Sequence, residues 1–184
     1  MKNLFRSCSL ILCFMLASCQ YGNMKHKLTR MYGSKVELNV LGMTKVMPET
    51  KCSDRLVPDG LKLVVFSDTS NCSACYIEHL KLWNDIVAME DSIQCFSAVF
   101  IVEARCGEKN ALRKLLECSG LRHSVYIDDS GVFRRGNPHL PDESLFHTFL
   151  LDENDEVVLV GDPLRNEAIG VLMRKAIKNR CIGQ

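Results

Sequence analysis

The sequence predicts an α/β fold, a central mixed β-sheet flanked by helices and closed by a C-terminal β-hairpin and helix. Three observations carry this. LKLVVFS (Leu61–Ser67) and CFSAVFIV (Cys95–Val102) are short apolar runs of the length and composition of buried strands. Each is followed by a segment with apolar residues at helical spacing, the arrangement that makes parallel crossovers. Downstream, FHTFLLD (Phe146–Asp152) and EVVLVG (Glu156–Gly161) are separated only by Glu153, Asn154 and Asp155, so they pair as an antiparallel hairpin.

The elements follow in order along the 184 residues, a length that supports one well-cored domain. Lys2 and Arg6 precede a short apolar run, Leu10–Ala17, too short to span a bilayer. Residues 1–18 read as a signal peptide. They end in Leu16-Ala17-Ser18-Cys19, which resembles the lipobox of bacterial lipoproteins; the resemblance implies cleavage before Cys19 and lipid on its sulfur. That anchor would place the chain on the inner or outer membrane of a bacterial cell envelope, with its domain outside the cytoplasm. Residues 19–35 are polar and basic without clear period and read as a membrane tether, leaving 36–184 as the domain.

Glu37–Val46 is a candidate first strand. Leu61–Ser67 leads to a polar turn, Asp68-Thr69-Ser70-Asn71, with several possible helix caps. A helix is expected from near Cys72 to about Asp91. On its wheel Leu80, Trp83, Ile86, Val87 and Met89 gather opposite Lys81, Asn84 and Asp85, an amphipathic helix laid on a sheet. The second buried strand comes next, then a helix over Lys109–Cys118 closed by Gly120. His123–Asp128 is a short strand, and Asp129–Glu143, with two Gly and two Pro, reads as loop. After the hairpin, Asn166–Asn179 is a final amphipathic helix.

With 23 basic and 22 acidic residues the chain carries no basic stripe for nucleic acid and no acidic tail. No P-loop, His-Glu-x-x-His or nucleophile elbow is present. The chemistry concentrates in SDTSNCSACYIEHL (Ser67–Leu80), where Cys72 and Cys75 stand at a helix start. A thiolate, not a thiol, attacks a disulfide, and unpaired N–H groups and the positive dipole end at a helix start stabilise the thiolate. A second cysteine three positions on lies on the same side of the helix and can resolve the mixed disulfide. Cys72 is therefore the expected attacking thiol and Cys75 the resolving one.

The strand LKLVVFS, the turn, Cys72-Ser73-Ala74-Cys75 and the late FLLDENDEVVLVGDP hairpin look like the thioredoxin fold. They most resemble the membrane-anchored TlpA-like and peroxiredoxin-like group of envelope proteins, over roughly residues 36 to 180. Glu78 matches a glutamate common there three residues after the second cysteine; as a helix residue it reads as a solvated surface position. Asn71 stands where that group has tryptophan, and Leu80 where it often has proline. His147 falls where a cis-proline normally precedes the hairpin strand and faces the cysteines. A cis bond at a non-proline residue costs about 2.5–4 kcal/mol, so a trans peptide is expected.

The resemblance implies an envelope thiol–disulfide oxidoreductase acting on protein dithiols and disulfides, with no organic cofactor and no nucleic-acid partner. Two alternatives stand beside it. Cys72 and Cys75 with His147, or with His79 on the same helix side, are a donor set for Zn or Cu(I) binding or delivery. The fold could also serve as a non-catalytic binding module. Among the other cysteines Cys95 is expected to be a small apolar strand residue. A Cys106–Cys118 disulfide is not expected, and Cys52 and Cys181 receive no role.

Overall fold

Apolar alternation in the central strands decides how the sheet is covered. The computed structural model describes residues 22–47, 59–70 and 73–181. Helix α1 spans 22–31. Strand β1 (Thr44–Val46) precedes β2 (Leu61–Ser67). A broken helical path follows, made of α2 (Ser73–His79), a 3-10 turn (Leu80–Trp83), α3 (Asn84–Val87) and α4 (Met89–Ser92). Then come β3 (Phe96–Glu103), α5 (Lys109–Glu117), β4 (Val125–Asp128), α6 (Val132–Gly136) and a 3-10 turn (Ser144–Phe146). The hairpin strands β5 (Thr148–Leu151) and β6 (Val157–Val160) and helix α7 (Glu167–Cys181) close the chain.

The strands form one sheet in the order β1-β4-β3-β2-β5-β6. β3 pairs parallel with β2 and β4, and the remaining pairings are antiparallel. Every residue of β2 is buried, as a strand covered on both faces requires. Leu61, Leu63 and Val65 face a core filled by Ile77, Leu80, Trp83, Leu112, Leu116, Met173 and Ile177 of the helices. Val64 and Phe66 face the other core, with Met31, Val99, Ile101, Phe133, Phe146 and Phe149. Lys62 is buried in the same strand because its ammonium reaches Asp155 Oδ1 at 2.9 Å in the turn between β5 and β6.

The mixed sheet, the flanking helices, the hairpin and the final helix are as the sequence predicts. Four local features differ. The expected helix from Cys72 to Asp91 breaks into short pieces. The His79 ring donates through Nδ1–H to the Cys75 carbonyl at 2.7 Å, the acceptor that a regular helix gives to the His79 amide, and the ladder tightens to a 3-10 turn directly afterwards. Second, residues expected in the tether belong to the folded unit. Met31 is 1% exposed, and Gly33 and Ser34 exchange backbone hydrogen bonds of 2.8 and 3.0 Å with Val157. Third, the segment read as loop contains α6, whose N-terminal amides are held by the Asp128 carboxylate through Val132 and Phe133. Fourth, Cys95 is no isolated apolar residue. It forms a disulfide with Cys181 at the end of α7, with Cα atoms 5.7 Å apart, a normal spacing for the bond. Cys106 and Cys118 are exposed and unbonded.

Among the described residues no helix is long and apolar enough to cross a membrane. The signal peptide, Cys19 and Cys52 lie outside the described residues.

Candidate functional site

β2 delivers the chain to the turn at Asp68–Ser70, and α2 begins at Ser73. That turn is tightly held. Asp68 Oδ1 accepts the Ser70 amide at 3.1 Å, and Asp68 Oδ2 accepts Arg134 Nη2 at 3.1 Å. The same guanidinium donates through Nη1 to Asp142 at 2.8 Å and lies 5.3 Å from the centre of the Phe66 ring. Arg105 donates to the Thr69 carbonyl. Glu103 sits beside this cluster, and burial foremost raises its pKa, against the lowering pull of Arg134. Charge-assisted bonds of this kind are the stronger ones, so the loop into α2 starts from a fixed platform.

Cys72 lies outside the described residues. Cys75 is exposed on the first turns of α2 and borders a groove of about 1150 Å³. The groove runs between α2, the Ser144–Phe146 turn, the end of β6 with its following loop, and α1. Exposed Met24, Leu28, Leu82, Leu145 and Leu164 rim it. His79 lines it next to Cys75. Its Nδ1–H donates to the Cys75 carbonyl, which leaves Nε2 as the other polar atom of the ring. Among the described residues two hydroxyls lining the groove, Ser67 Oγ and Tyr76 Oη, are buried without a hydrogen-bond partner. Burial first, and the Asp162 carboxylate second, raise the pKa of the Tyr76 phenol, so it stays protonated.

His147 occupies the place the sequence assigns to it, directly before β5. No peptide bond among the described residues is cis, so the trans expectation holds there. The backbone at His147 has φ −84° and ψ 0°, and its carbonyl accepts the Phe66 amide at 2.9 Å. The side chain, however, does not join Cys75 in the groove. It is buried, its ring centre is 5.0 Å from that of Phe66, and Nε2 donates to the Pro141 carbonyl at 3.2 Å. Nδ1 is buried with no partner. Burial is the main reason its pKa lies below the usual histidine value. Among the described residues no group of three His, Cys, Asp or Glu side chains could hold a metal ion. Glu78 is exposed on α2 and does not line the groove.

The structure adds residues that the sequence reading did not single out: Arg134, which clamps the turn, Thr148 and Asp162 in the groove wall, and Met24, Lys25 and Leu28 of α1. Arg134 had no visible signal, because its segment reads as loop.

No family model matches the chain, and no curated relative matches it. Solved structures do match in fold. A putative thiol:disulfide interchange protein DsbE from Chlorobium tepidum superimposes with a TM-score of 0.52 at 19% identity, over 79% of this chain and 97% of that one. The thioredoxin domain of a thiol-disulfide oxidoreductase from Bacteroides vulgatus gives 0.52 at 13% identity, over 79% and 97%. A putative protein disulfide isomerase from Bacteroides thetaiotaomicron gives 0.51 at 14%, over 80% and 88%. The fold is thioredoxin-like. In this fold Cys75 and the groove occupy the end of the sheet to which the carboxyl end of β2 points.

Proposed function

We propose that the protein is a thiol–disulfide oxidoreductase of the cell envelope, anchored by lipid on Cys19. Cys72 is the attacking thiol and Cys75 the resolving one. The observation that carries this is Cys75 itself. It is exposed at the opening of α2, beside an apolar groove and directly after a clamped turn, in a thioredoxin-like fold. The fold it shares with the thioredoxin domain of a thiol-disulfide oxidoreductase supports the same reading.

The exchange balances within the pair. The Cys72 thiolate attacks one sulfur of a partner disulfide. The partner's S–S bond breaks, and its leaving thiolate takes a proton from solvent. The Cys75 thiolate then attacks Cys72 Sγ, the mixed disulfide breaks, and the second partner thiol is released. The partner gains two electrons and the protein is left with a Cys72–Cys75 disulfide. The reverse sequence oxidises a partner dithiol. Direction follows from the potential of the couple relative to its compartment.

The extracytoplasmic placement draws support from the opposite end of the sheet. A disulfide such as Cys95–Cys181 persists in oxidising compartments and is rare in the cytosol. The function is tested by the reduction potential of the Cys72–Cys75 couple, read by alkylation and mass spectrometry across thiol redox buffers. A reversible couple in the range of exchange proteins, roughly −120 to −270 mV, is expected. Absence of a reversible couple would overturn the reading.

A further inference from the structure

Strand β6 is an edge of the sheet, and its hydrogen-bonding pattern shows which of its backbone groups face outward. Gly161 donates its amide to the Thr148 carbonyl at 2.8 Å. The Phe149–Val160 pair beside it is therefore a non-hydrogen-bonded pair, so the N–H and C=O of Val160 point away from β5. At the other end of the strand the outward groups are those of Val157. They are already used: Gly33 donates to the Val157 carbonyl and the Val157 amide donates to Ser34. The chain's own segment at 33–35 thus adds a short strand to this edge, with Lys35 bridging to Glu156. It stops short of Val160, which lines the groove together with Gly161 and Asp162.

We propose that an extended, apolar polypeptide segment of the partner adds to the edge of β6 at Val160, continuing the pairing that residues 33–35 begin, and lies in the groove beside Cys75. An unpaired strand edge is a template for an added strand. In such an addition, main-chain bonds supply affinity and pockets for alternate side chains supply selectivity. Both parts are present. The Val160 backbone offers one donor and one acceptor. The rim formed by Met24, Leu28, Leu82, Leu145 and Leu164 offers an apolar channel for side chains of an unfolded segment. The occupant is a polypeptide rather than a small thiol, because an edge amide and carbonyl pair recognises a peptide backbone. This deepens the oxidoreductase reading and rests on it for the cysteine chemistry, whereas the binding mode is tested separately.

The test uses the full chain, isotope-labelled, and a blocked peptide of alternating valine and threonine with serine in place of cysteine, so that no disulfide can form. At saturation, hydrogen exchange at the Val160 amide is expected to slow by about tenfold or more. The Val160→Pro variant removes only the outward N–H, a substitution edge strands accept, and peptide affinity is expected to fall by about tenfold. A peptide-saturated protein whose Val160 amide exchanges as fast as in the free protein would overturn the proposal. So would a folded Val160→Pro variant with unchanged affinity, or no binding of the peptide at millimolar concentration. Val160 protection in a protein that fails to exchange with glutathione disulfide would instead sink the redox reading and leave this one standing.

Discussion

The two ends of β2 are built on opposite plans. At its start, the side chains around Cys95–Cys181 are tied together by ion pairs and hydrogen bonds. Asp152 accepts the Asn154 and Glu156 amides at 2.9 and 3.0 Å and pairs with Arg180, whose guanidinium also meets Glu153 at 3.0 Å. Lys62 reaches Asp155, and the disulfide ties the approach to β3 to the last turn of α7. At its far end Arg134 clamps the turn through Asp68, but other polar groups go unmatched. Among the described residues Ser67 Oγ, Tyr76 Oη and His147 Nδ1 are buried without a hydrogen-bond partner, and exposed apolar side chains rim the groove beside Cys75. An unmade buried hydrogen bond costs about 1–3 kcal/mol. One end is therefore held by a disulfide and ion pairs, and the other carries unmet polar groups and exposed apolar surface, the kind of local cost that collects at functional sites.

The sharpest way to break this contrast is to remove the cysteines of each end in turn. Cys72→Ser is expected to abolish exchange with a model disulfide, and Cys75→Ser to accumulate a mixed disulfide visible by intact mass. Both variants should unfold near the wild-type midpoint. A Cys72→Ser protein that retained exchange would remove Cys72 as nucleophile. The double variant Cys95→Ala, Cys181→Ala is expected to do the reverse. The bond closes a span of 86 residues, and loop-closure entropy puts its loss at about 4.6 kcal/mol. Denaturant titration would show this as a lower midpoint, with the exchange rate unchanged. If exchange fell as well, the two ends would be coupled and the division of labour wrong.

Much of this was legible in the sequence because it rests on short-range pattern. The buried runs Leu61–Ser67 and Cys95–Val102, the three-residue hairpin turn and the Cys72–Cys75 spacing are all local, and the strand periods and turn chemistry that reveal them act over a few residues. What stayed hidden is non-local. The partner of Cys95 is 86 positions away, and spacing alone does not name a disulfide partner. Arg134 reaches Asp68 across 66 positions. α1 is polar over most of its surface, and its only deeply buried side chain, Met31, gives no apolar period. The position of His147 before β5 is set by the local hairpin, whereas its ring direction depends on the distant Phe66 and on Pro141.

Smaller effects sharpen the picture of the groove end. Arg134→Ala leaves the largely buried Asp68 carboxylate without its guanidinium, and a stability loss of about 1–2 kcal/mol is expected. Because Asp68 fixes the turn before Cys72, exchange should slow more than stability alone explains. Thermal unfolding alongside single-turnover exchange separates the two, and a variant with wild-type exchange would show that the clamp is purely structural.

The smallest expected effect concerns pH. His147 has a folded-state pKa below its unfolded value, with burial as the main cause; Asp68 and Asp142 pull the other way and Arg134 adds to the lowering. The unfolded chain therefore binds the proton first. The His147 contribution is intact above the unfolded value of about 6.5 and is lost as pH falls through it, until the folded-state value is reached. Between pH 6.5 and 5.5 this is worth no more than about 1.4 kcal/mol. His147→Gln keeps a donor for the Pro141 carbonyl and removes the titration, so its unfolding free energy should fall less over that interval than the wild type's. Equal slopes for the two proteins would mean that His147 does not carry the acid sensitivity of the groove end.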